Sequence, residues 1–320
     1  MDAAMKVTVV LCTYNRCKSL ATALESVAAS QMPSSTSWEV LVVDNNSRDG
    51  TRDVVDEFSR RYPGRFRYMF EPRQGKSNAL NAGIRQANGD VLAFMDDDVT
   101  VDPCWLSKLT VPLESGPWSG AGGRVIPLWR TGRPKWLPES GDILAPLVSF
   151  NPGESPGILS EAPFGTNMAF RKEVFERYGD FRTDLGPRPD NEIRSEDTEF
   201  GKRVMGGGEQ LYYEPSAIVY HPVTPERLNK KYLLRWWFDK GRADVLEYGK
   251  HHDGTFLLAG VPLHLYKRIA AWSVRWAIAL EPCRRFNCKR SVWSLAGQIT
   301  ERHRLSLGGS WSNKPTHNGW

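Results

Sequence analysis

The chain has 320 residues, 40% of them apolar, with 42 basic against 37 acidic side chains and a net charge of +5. That length accommodates one large α/β core and a smaller appendage, and the mixed composition excludes a fibrous, low-complexity or disordered protein. Five cysteines, Cys12, Cys17, Cys104, Cys283 and Cys288, make neither an even disulfide framework nor a zinc spacing, which predicts reduced thiols in a cytosolic setting.

The start of the chain offers only a strand-length apolar run with an acid at position 2, so no signal peptide is expected. Residues 6–11 (KVTVVL) predict a first strand, and 18–29 carry Leu20, Leu24 and Val27 at helical spacing. Residues 38–43 (WEVLVV) predict a second strand that ends at Asp44. A polar turn from Asn45 to Gly50 leads into a helix over about 51–61. A third strand is expected at 66–70, a helix at 77–87 and a fourth strand at 91–95. Strands alternating with helices imply a largely parallel sheet covered on both faces. Ligands of such sheets bind at the carboxyl ends of the strands. Those ends carry Thr13-Tyr14-Asn15-Arg16, Asp44-Asn45-Asn46-Ser47 and Asp96-Asp97-Asp98.

The aspartate triplet follows a buried apolar run, so a strand delivers a cluster of carboxylates to the sheet edge. Hard cations such as Mg²⁺ or Mn²⁺ prefer oxygen ligands and keep open positions that phosphate oxygens can fill. A metal site for a diphosphate-bearing substrate is one reading; acids that merely solvate a strand end are the other.

Four blocks carry a resemblance: VVLCTYNR at 9–16, VLVVDNNSRDGT at 40–51, GKSNALNAGIRQANGDVLAFMDDD at 75–98 and SEDTEFGKRV at 195–204. In order and spacing they resemble family 2 glycosyltransferases over roughly the first two-thirds of the chain. The resemblance implies a GT-A, Rossmann-like mixed sheet, a nucleotide-sugar donor with a UDP-sugar foremost, a divalent cation (Mn²⁺ or Mg²⁺) and an aspartate base. It places Thr13, Tyr14, Arg16, Asp44, Asn46, Lys76 and Asp96 around the donor nucleotide. Tyr14 can stack on a base, and Asp44 can accept from a pyrimidine N3–H or a ribose hydroxyl. Asn46 is equally a good turn residue, and Lys76 beside Gly75 either faces a phosphate at a helix start or is a solvated charge. The family's D-x-D maps onto Asp96 and Asp98, with Asp98 coordinating the metal and Asp96 on ribose or a metal-bound water. His221, after the strand-like 217–220, is either a nitrogen ligand to the same ion or a structural histidine.

The segment 163–170 (PFGTNMAF) resembles the family's lining of the donor-sugar and acceptor cleft, with Gly165 for close backbone approach and Asn167 for a sugar hydroxyl. Glu196 and Asp197 match the family's E-D pair, Asp197 being the base. Two first-turn acids favouring the helix dipole are the plainer explanation, compatible with the other. One base and no positioned protein nucleophile imply inversion. The absence of glycine from 12–20 argues against a nucleotidyltransferase phosphate loop. A catalytically silent sugar-nucleotide-binding or membrane-scaffolding relative is the alternative.

Past about residue 225 the character changes. Residues 1–220 hold 25 basic against 30 acidic side chains, or −5, and 221–320 hold 17 against 7, or +10. Seven of the 12 tryptophans also lie after residue 220. A catalytic domain over 1–225, a basic tryptophan-bearing helical region over 226–305 and a flexible tail over 306–320 are expected. Tyr232 to Trp237 resemble the family's Q/R-x-x-R-W element, which sits over the acceptor and donor phosphates; Arg235 and Trp236 match, Tyr232 at the Gln/Arg position argues against processive synthesis, and an amphipathic helix with buried tryptophans is the equal alternative. The stretch 256–280 is broken by His264, Lys267, Arg268 and Arg275, so it is not a spanning helix. It either lies peripherally on an anionic membrane at its cytoplasmic face or packs on the catalytic domain. No nucleic-acid motif accompanies the charge, so nucleic acid is not an expected partner. The expected partners are a nucleotide-sugar donor and a sugar or lipid-linked acceptor, in polysaccharide, glycolipid or lipid-linked glycan synthesis.

Overall fold

The computed structural model describes residues 5–129, 132–139, 141–189, 193–248 and 256–308. The chain divides into two compact units. The first comprises Met1–Gly132, Leu144–Asn191 and Glu196–Pro225, and the second Arg133–Ile143, Glu192–Ser195 and Glu226–Trp320.

The first unit begins β1 (Lys6–Thr13), α1 (Cys17–Ala28), β2 (Ser37–Asp44), α2 (Thr51–Arg61), β3 (Phe66–Phe70), α3 (Lys76–Gln86) and β4 (Val91–Asp96). These are the elements expected from periodicity, with ends displaced by no more than about two residues. β3, β2, β1 and β4 pair in parallel in that spatial order. The central strands are apolar on both faces because helices cover both: Val9, Val10, Leu11, Val40, Val42, Leu92 and Ala93 are fully buried. Each buried Val or Leu side chain is worth about 1.5–3 kcal/mol relative to an exposed one. Gly83 lets α3 approach closely, since a Cβ there would meet Val10 Cγ1 at 2.6 Å.

The second half of the sheet is mixed rather than parallel. It comprises β5 (Thr100–Val101), α4 (Trp105–Ser115), β6 (Gly120–Trp129), β7 (Gly157–Ile158), β8 (Met168–Arg171), α5 (Lys172–Tyr178), α6 (Glu196–Gly206) and β9 (Leu211–Val223). β8 joins β4 antiparallel, β6 follows β8 antiparallel, β9 runs parallel to β6, and β5 closes against β9 antiparallel. The four-residue expectation at 217–220 is the middle of β9, whose alternating burial runs through all 13 residues. Between β6 and β7 the chain carries a 3₁₀ helix at Asp142–Leu147.

The second unit contains α7 (Lys230–Tyr248), the two-stranded β10 (Leu257–Leu258) and β11 (Val261–Pro262), α8 (Leu263–Ile278) and α9 (Pro282–Ser306). α7 and α9 cross backbone against backbone: a Cβ on Gly241 would lie 2.0 Å from Ser294 O, and one on Gly297 the same distance from Phe238 O. Beside the crossing, fully buried Glu301 accepts from Arg242 at 3.0 Å and also pairs with Arg304. Most of the tail expected at 306–320 lies outside the described residues. Among those described, no helix is long and apolar enough to cross a membrane.

Candidate active site

Strand register assembles the site. Thr13 pairs with Asp44 and Cys12 with Asp96, so the ends of β1, β2 and β4 form one row at one sheet edge. Loops then lock onto each other across it. Asn15, with φ 51°, donates its N–H to Ser47 Oγ at 2.9 Å and accepts from the Arg48 N–H at 2.7 Å. Asp49 accepts from the Cys17 N–H at 2.9 Å, so α1 is capped from the next βα loop. Tyr14 stands 37% exposed beside this clamp, and Asn46, with φ 70°, turns the chain after β2.

Asp44 is buried and accepts from the Ser47 N–H and the Tyr68 hydroxyl, both at 2.8 Å. Burial and the hydrogen bond to Asp44 push the Tyr68 phenol up to about 12. Asn45, next in line, is a tie-bar: its amide donates to Glu71 O and Arg73 O and accepts from the Gly75 N–H at 2.8 Å. Gly75 has φ 127°, a conformation that side chains rarely adopt, and it starts α3. The Lys76 N–H donates to Pro187 O at 3.0 Å. The N–H groups of Gly75 and Lys76 are therefore consumed within the protein, which leaves the Lys76 ammonium as the charge this helix start presents.

The Lys76 ammonium lies 2.8 Å from Asp96 and 3.4 Å from Glu196. Burial opposes its charge, but Asp96, Glu196 and Asp197 more than offset this and raise its pKa. Asp96 is held low in turn: burial works against the carboxylate, and Lys76 wins. Asp97, the spacer of D-x-D, accepts from the Thr13 hydroxyl at 2.8 Å and from Arg16 at 3.1 Å. Burial pushes it up to about 6 against the pull of Arg16, with Asp98 adding to the rise. Asp98 pairs with the same Arg16 nitrogen at 3.1 Å.

β5 pairs with β9 through Thr100–Tyr220 and Val101–Val219. That register draws His221 beside the residues just before Thr100. His221 is buried, with Nε2 3.7 Å from Asp98 Oδ1. The Asp98 carboxylate suits Mn²⁺ or Mg²⁺ in donor type, and the buried imidazole beside it adds a nitrogen donor. Among the described residues no group of three or more such side chains converges. Asp98 and His221 by themselves do not make a closed structural cage.

Across the site, Asp197 opens α6 after Ser195, whose φ is 84°. Its oxygens accept from the Gly165 N–H at 2.6 Å and the Thr198 N–H at 2.7 Å. A Cβ on Gly165 would come within 2.9 Å of Asp197 Oδ2, so the close approach expected there is to the acid itself. Asn167 departs from expectation. It is fully buried, its amide protons go to Arg124 O and Ala217 O, and its oxygen takes the Trp105 indole N–H, each at 2.8 Å. It braces the sheet from a fully buried position, with both amide protons spent inside the protein. Arg235 and Trp236 lie on α7 of the second unit, Arg235 exposed and Trp236 edge-to-face with Trp237.

Asn45, Tyr68 and Asp97 are the site residues that motif reading passed over. Asp97 and Asn45 left a signal by their place in the strand-end strings, without a role; Tyr68 left none and reaches Asp44 because β2 and β3 pair.

Comparison with known proteins bears on the whole assembly. The glucosyl-dolichyl phosphate glucuronosyltransferase of Haloferax volcanii is 30% identical over 238 residues, covering 72% of this chain and 73% of that protein. The succinoglycan biosynthesis protein ExoM of Rhizobium meliloti is 29% identical over 236 residues, 72% of each. Among solved structures, the mannosyltransferase PcManGT of Pyrobaculum calidifontis, in complex with GDP-Man and Mn²⁺, aligns with TM-score 0.54 at 18% identity, covering 97% of this chain and 79% of that one. GalNAc-T7 with UDP, GalNAc and Mn²⁺ aligns with TM-score 0.57 at 17% identity, over 96% and 58%. These likenesses establish the GT-A fold. Residues 8–179 match the glycosyl transferase family 2 profile, and with the site's blocks lying inside or just beyond that span, the chain belongs to that family.

Proposed function

We propose that the protein transfers a sugar from a nucleoside-diphosphate donor, a UDP-sugar foremost, to an acceptor hydroxyl with inversion. Glycosyl transfer in glycan or polysaccharide synthesis is the coarser statement the family carries. The single observation behind the finer one is the pairing of two different carboxylate environments in one unit. Asp96, Asp97 and Asp98 are compensated by Lys76 and Arg16, whereas Asp197 is oriented by two backbone N–H groups.

The first environment suits the donor. Tyr14 offers a face to the base, and Asp44, fixed by Tyr68 and Ser47, offers lone pairs to an N–H or hydroxyl. Arg16 and Lys76 supply positive charge at the row where a diphosphate would lie. Asp98 and His221 are the residues that would hold a divalent cation, which when bound supplies charge to stabilise the departing diphosphate. Similar proteins crystallised with Mn²⁺ support that reading.

The second environment suits a base. A sugar hydroxyl becomes a competent nucleophile as its proton is removed. Asp197 takes that proton while the acceptor oxygen bonds to the anomeric carbon and the carbon–oxygen bond to the diphosphate breaks. The two backbone N–H groups hold the carboxylate, and among the described residues no lysine or arginine is in ion-pair contact with it, which leaves lone pairs for a proton. A lipid-linked acceptor is favoured by the dolichyl phosphate named for one relative.

A panel of nucleoside-diphosphate sugars, each with Mn²⁺, Mg²⁺ or a chelator, tests the proposal by release of nucleoside diphosphate and product mass. Metal-dependent consumption of a UDP-sugar is expected. Tight donor binding with no turnover across lipid-linked and free acceptors would favour the catalytically silent relative instead.

A further inference from the structure

Helix α8 has two apolar faces, and among the described residues of its unit one of them is packed. Leu265, Ile269 and Trp272 pack with Val261, Leu295 and Ile299. On the opposite face Ala271, Val274 and Ile278 recur at helical spacing and point to solvent, and Leu280 follows directly. Val274 is 61% exposed, Ile278 69% and Leu280 93%. At 100° per residue Lys267 lies in this row, while His264, Arg268 and Arg275 run along one flank of it; all four are exposed. The Arg275 guanidinium lies 4.8 Å from the Trp272 ring centroid, which holds its charge along that flank.

We propose that α8 is an interfacial anchor that lies in the plane of a lipid surface bearing anionic headgroups. The row of Ala271, Val274, Ile278 and Leu280 enters the boundary of the acyl chains, and Lys267, Arg268 and Arg275 pair with headgroup phosphates. The helix cannot instead cross the bilayer. Its 16 residues span about 24 Å against a hydrocarbon core of about 30 Å, and three of them are permanently charged. A second copy is a poorer occupant of the same face. α8 contains no acidic residue, and from 263 to 300 Glu281 alone stands against seven Lys and Arg. An isologous contact would therefore bring like charges together with nothing on the helix to offset them. The proposal stands on the second unit alone and does not need the sugar-transfer reading.

The test is co-sedimentation of the full chain with vesicles of phosphatidylcholine alone and with about a third phosphatidylglycerol. The unmodified protein is expected to bind the anionic vesicles, less so at high salt. Val274→Asp/Ile278→Asp should weaken that partition at least about tenfold, and Lys267→Glu/Arg268→Glu comparably, since each cation lost near an anionic surface is worth roughly fivefold. All four positions are exposed or solvent-facing, so melting temperature and far-ultraviolet circular dichroism should stay unchanged. Failure of the unmodified chain to bind anionic vesicles overturns the proposal. So does undiminished binding by the Val274→Asp/Ile278→Asp protein, or a dimer in sedimentation velocity that this variant splits into monomers.

Discussion

The two units treat charge and apolar surface in opposite ways. In the first, carboxylates are gathered at strand ends, and each side chain of the aspartate triplet has a cationic partner within 3.1 Å. Its exposed large apolar residues, such as Phe70, Val111 and Ile158, are scattered over different elements. In the second, basic residues outnumber acids and large apolar side chains stand exposed in runs, at 256–258 and along α8. Scattered exposure of single residues is ordinary, whereas a row along one helix face asks for something to cover it. The lesson is that polar chemistry in the first unit is fixed by backbone register, and surface chemistry in the second is written on one helix.

The strongest test of this contrast is Asp197→Asn. The amide keeps an oxygen for the Gly165 N–H, so the fold should hold and donor affinity should stay near normal. Transfer should fall by about 10²-fold or more, the loss expected without a general base. Single-turnover measurements check it, and near-normal turnover would mean that the oriented acid is only a helix-start carboxylate. Next is Gly297→Ala, which drives a methyl group into Phe238 O. A loss of about 1–3 kcal/mol in denaturant unfolding is expected. If stability is unchanged, the α7–α9 crossing is not the rigid joint that sets the second unit apart.

A smaller effect belongs to Asp98→Ala. Removing one of two candidate metal ligands should lower donor affinity roughly tenfold in Mn²⁺ and leave affinity in chelator unaltered. Calorimetry with UDP separates the two, and equal losses in both conditions would assign Asp98 a role through Arg16 only. The least change is expected from Glu39→Gln, far from the site. Burial raises the Glu39 carboxyl, but hydrogen bonds from Arg67 and Thr8 outweigh it and leave the pKa depressed. A depressed carboxyl stabilises the fold above its unfolded pKa and loses that contribution as pH falls through the folded value. The glutamine variant should therefore show a shallower acid slope, by less than about 1 kcal/mol for this part-buried pair, in thermal melts across the acidic range.

Much of the first unit was legible from sequence because apolar runs and helical stripes leave direct traces. β1 to β4 and their helices came from periodicity, and Asp96, Asp98 and Asp197 from blocks whose order is specific. The mixed half of the sheet was less so: β8 is four residues long, and β9 was visible only at its middle. Side-chain destinations were the least readable. Asn167 sits in a glycine-containing segment that suggests a ligand contact, yet its amide is spent on Arg124, Ala217 and Trp105, a fact that depends on three separate elements meeting. Tyr68 was silent for the same reason, since nothing near it in the chain mentions Asp44.

The pairing of Thr13 with Asp44 and of Cys12 with Asp96 makes the site sensitive to changes that touch none of its residues. Successive side chains of a strand alternate between faces, so deleting one residue from the middle of β1 inverts the facing of everything beyond the deletion unless the ladder slips to compensate. Thr13 would turn from Asp97, or the pairing with both neighbours would shift by a residue. The interior of β1 thus acts as a ruler: Val9 and Val10 can exchange for other apolar residues of similar volume, but their number cannot change without taking the site apart.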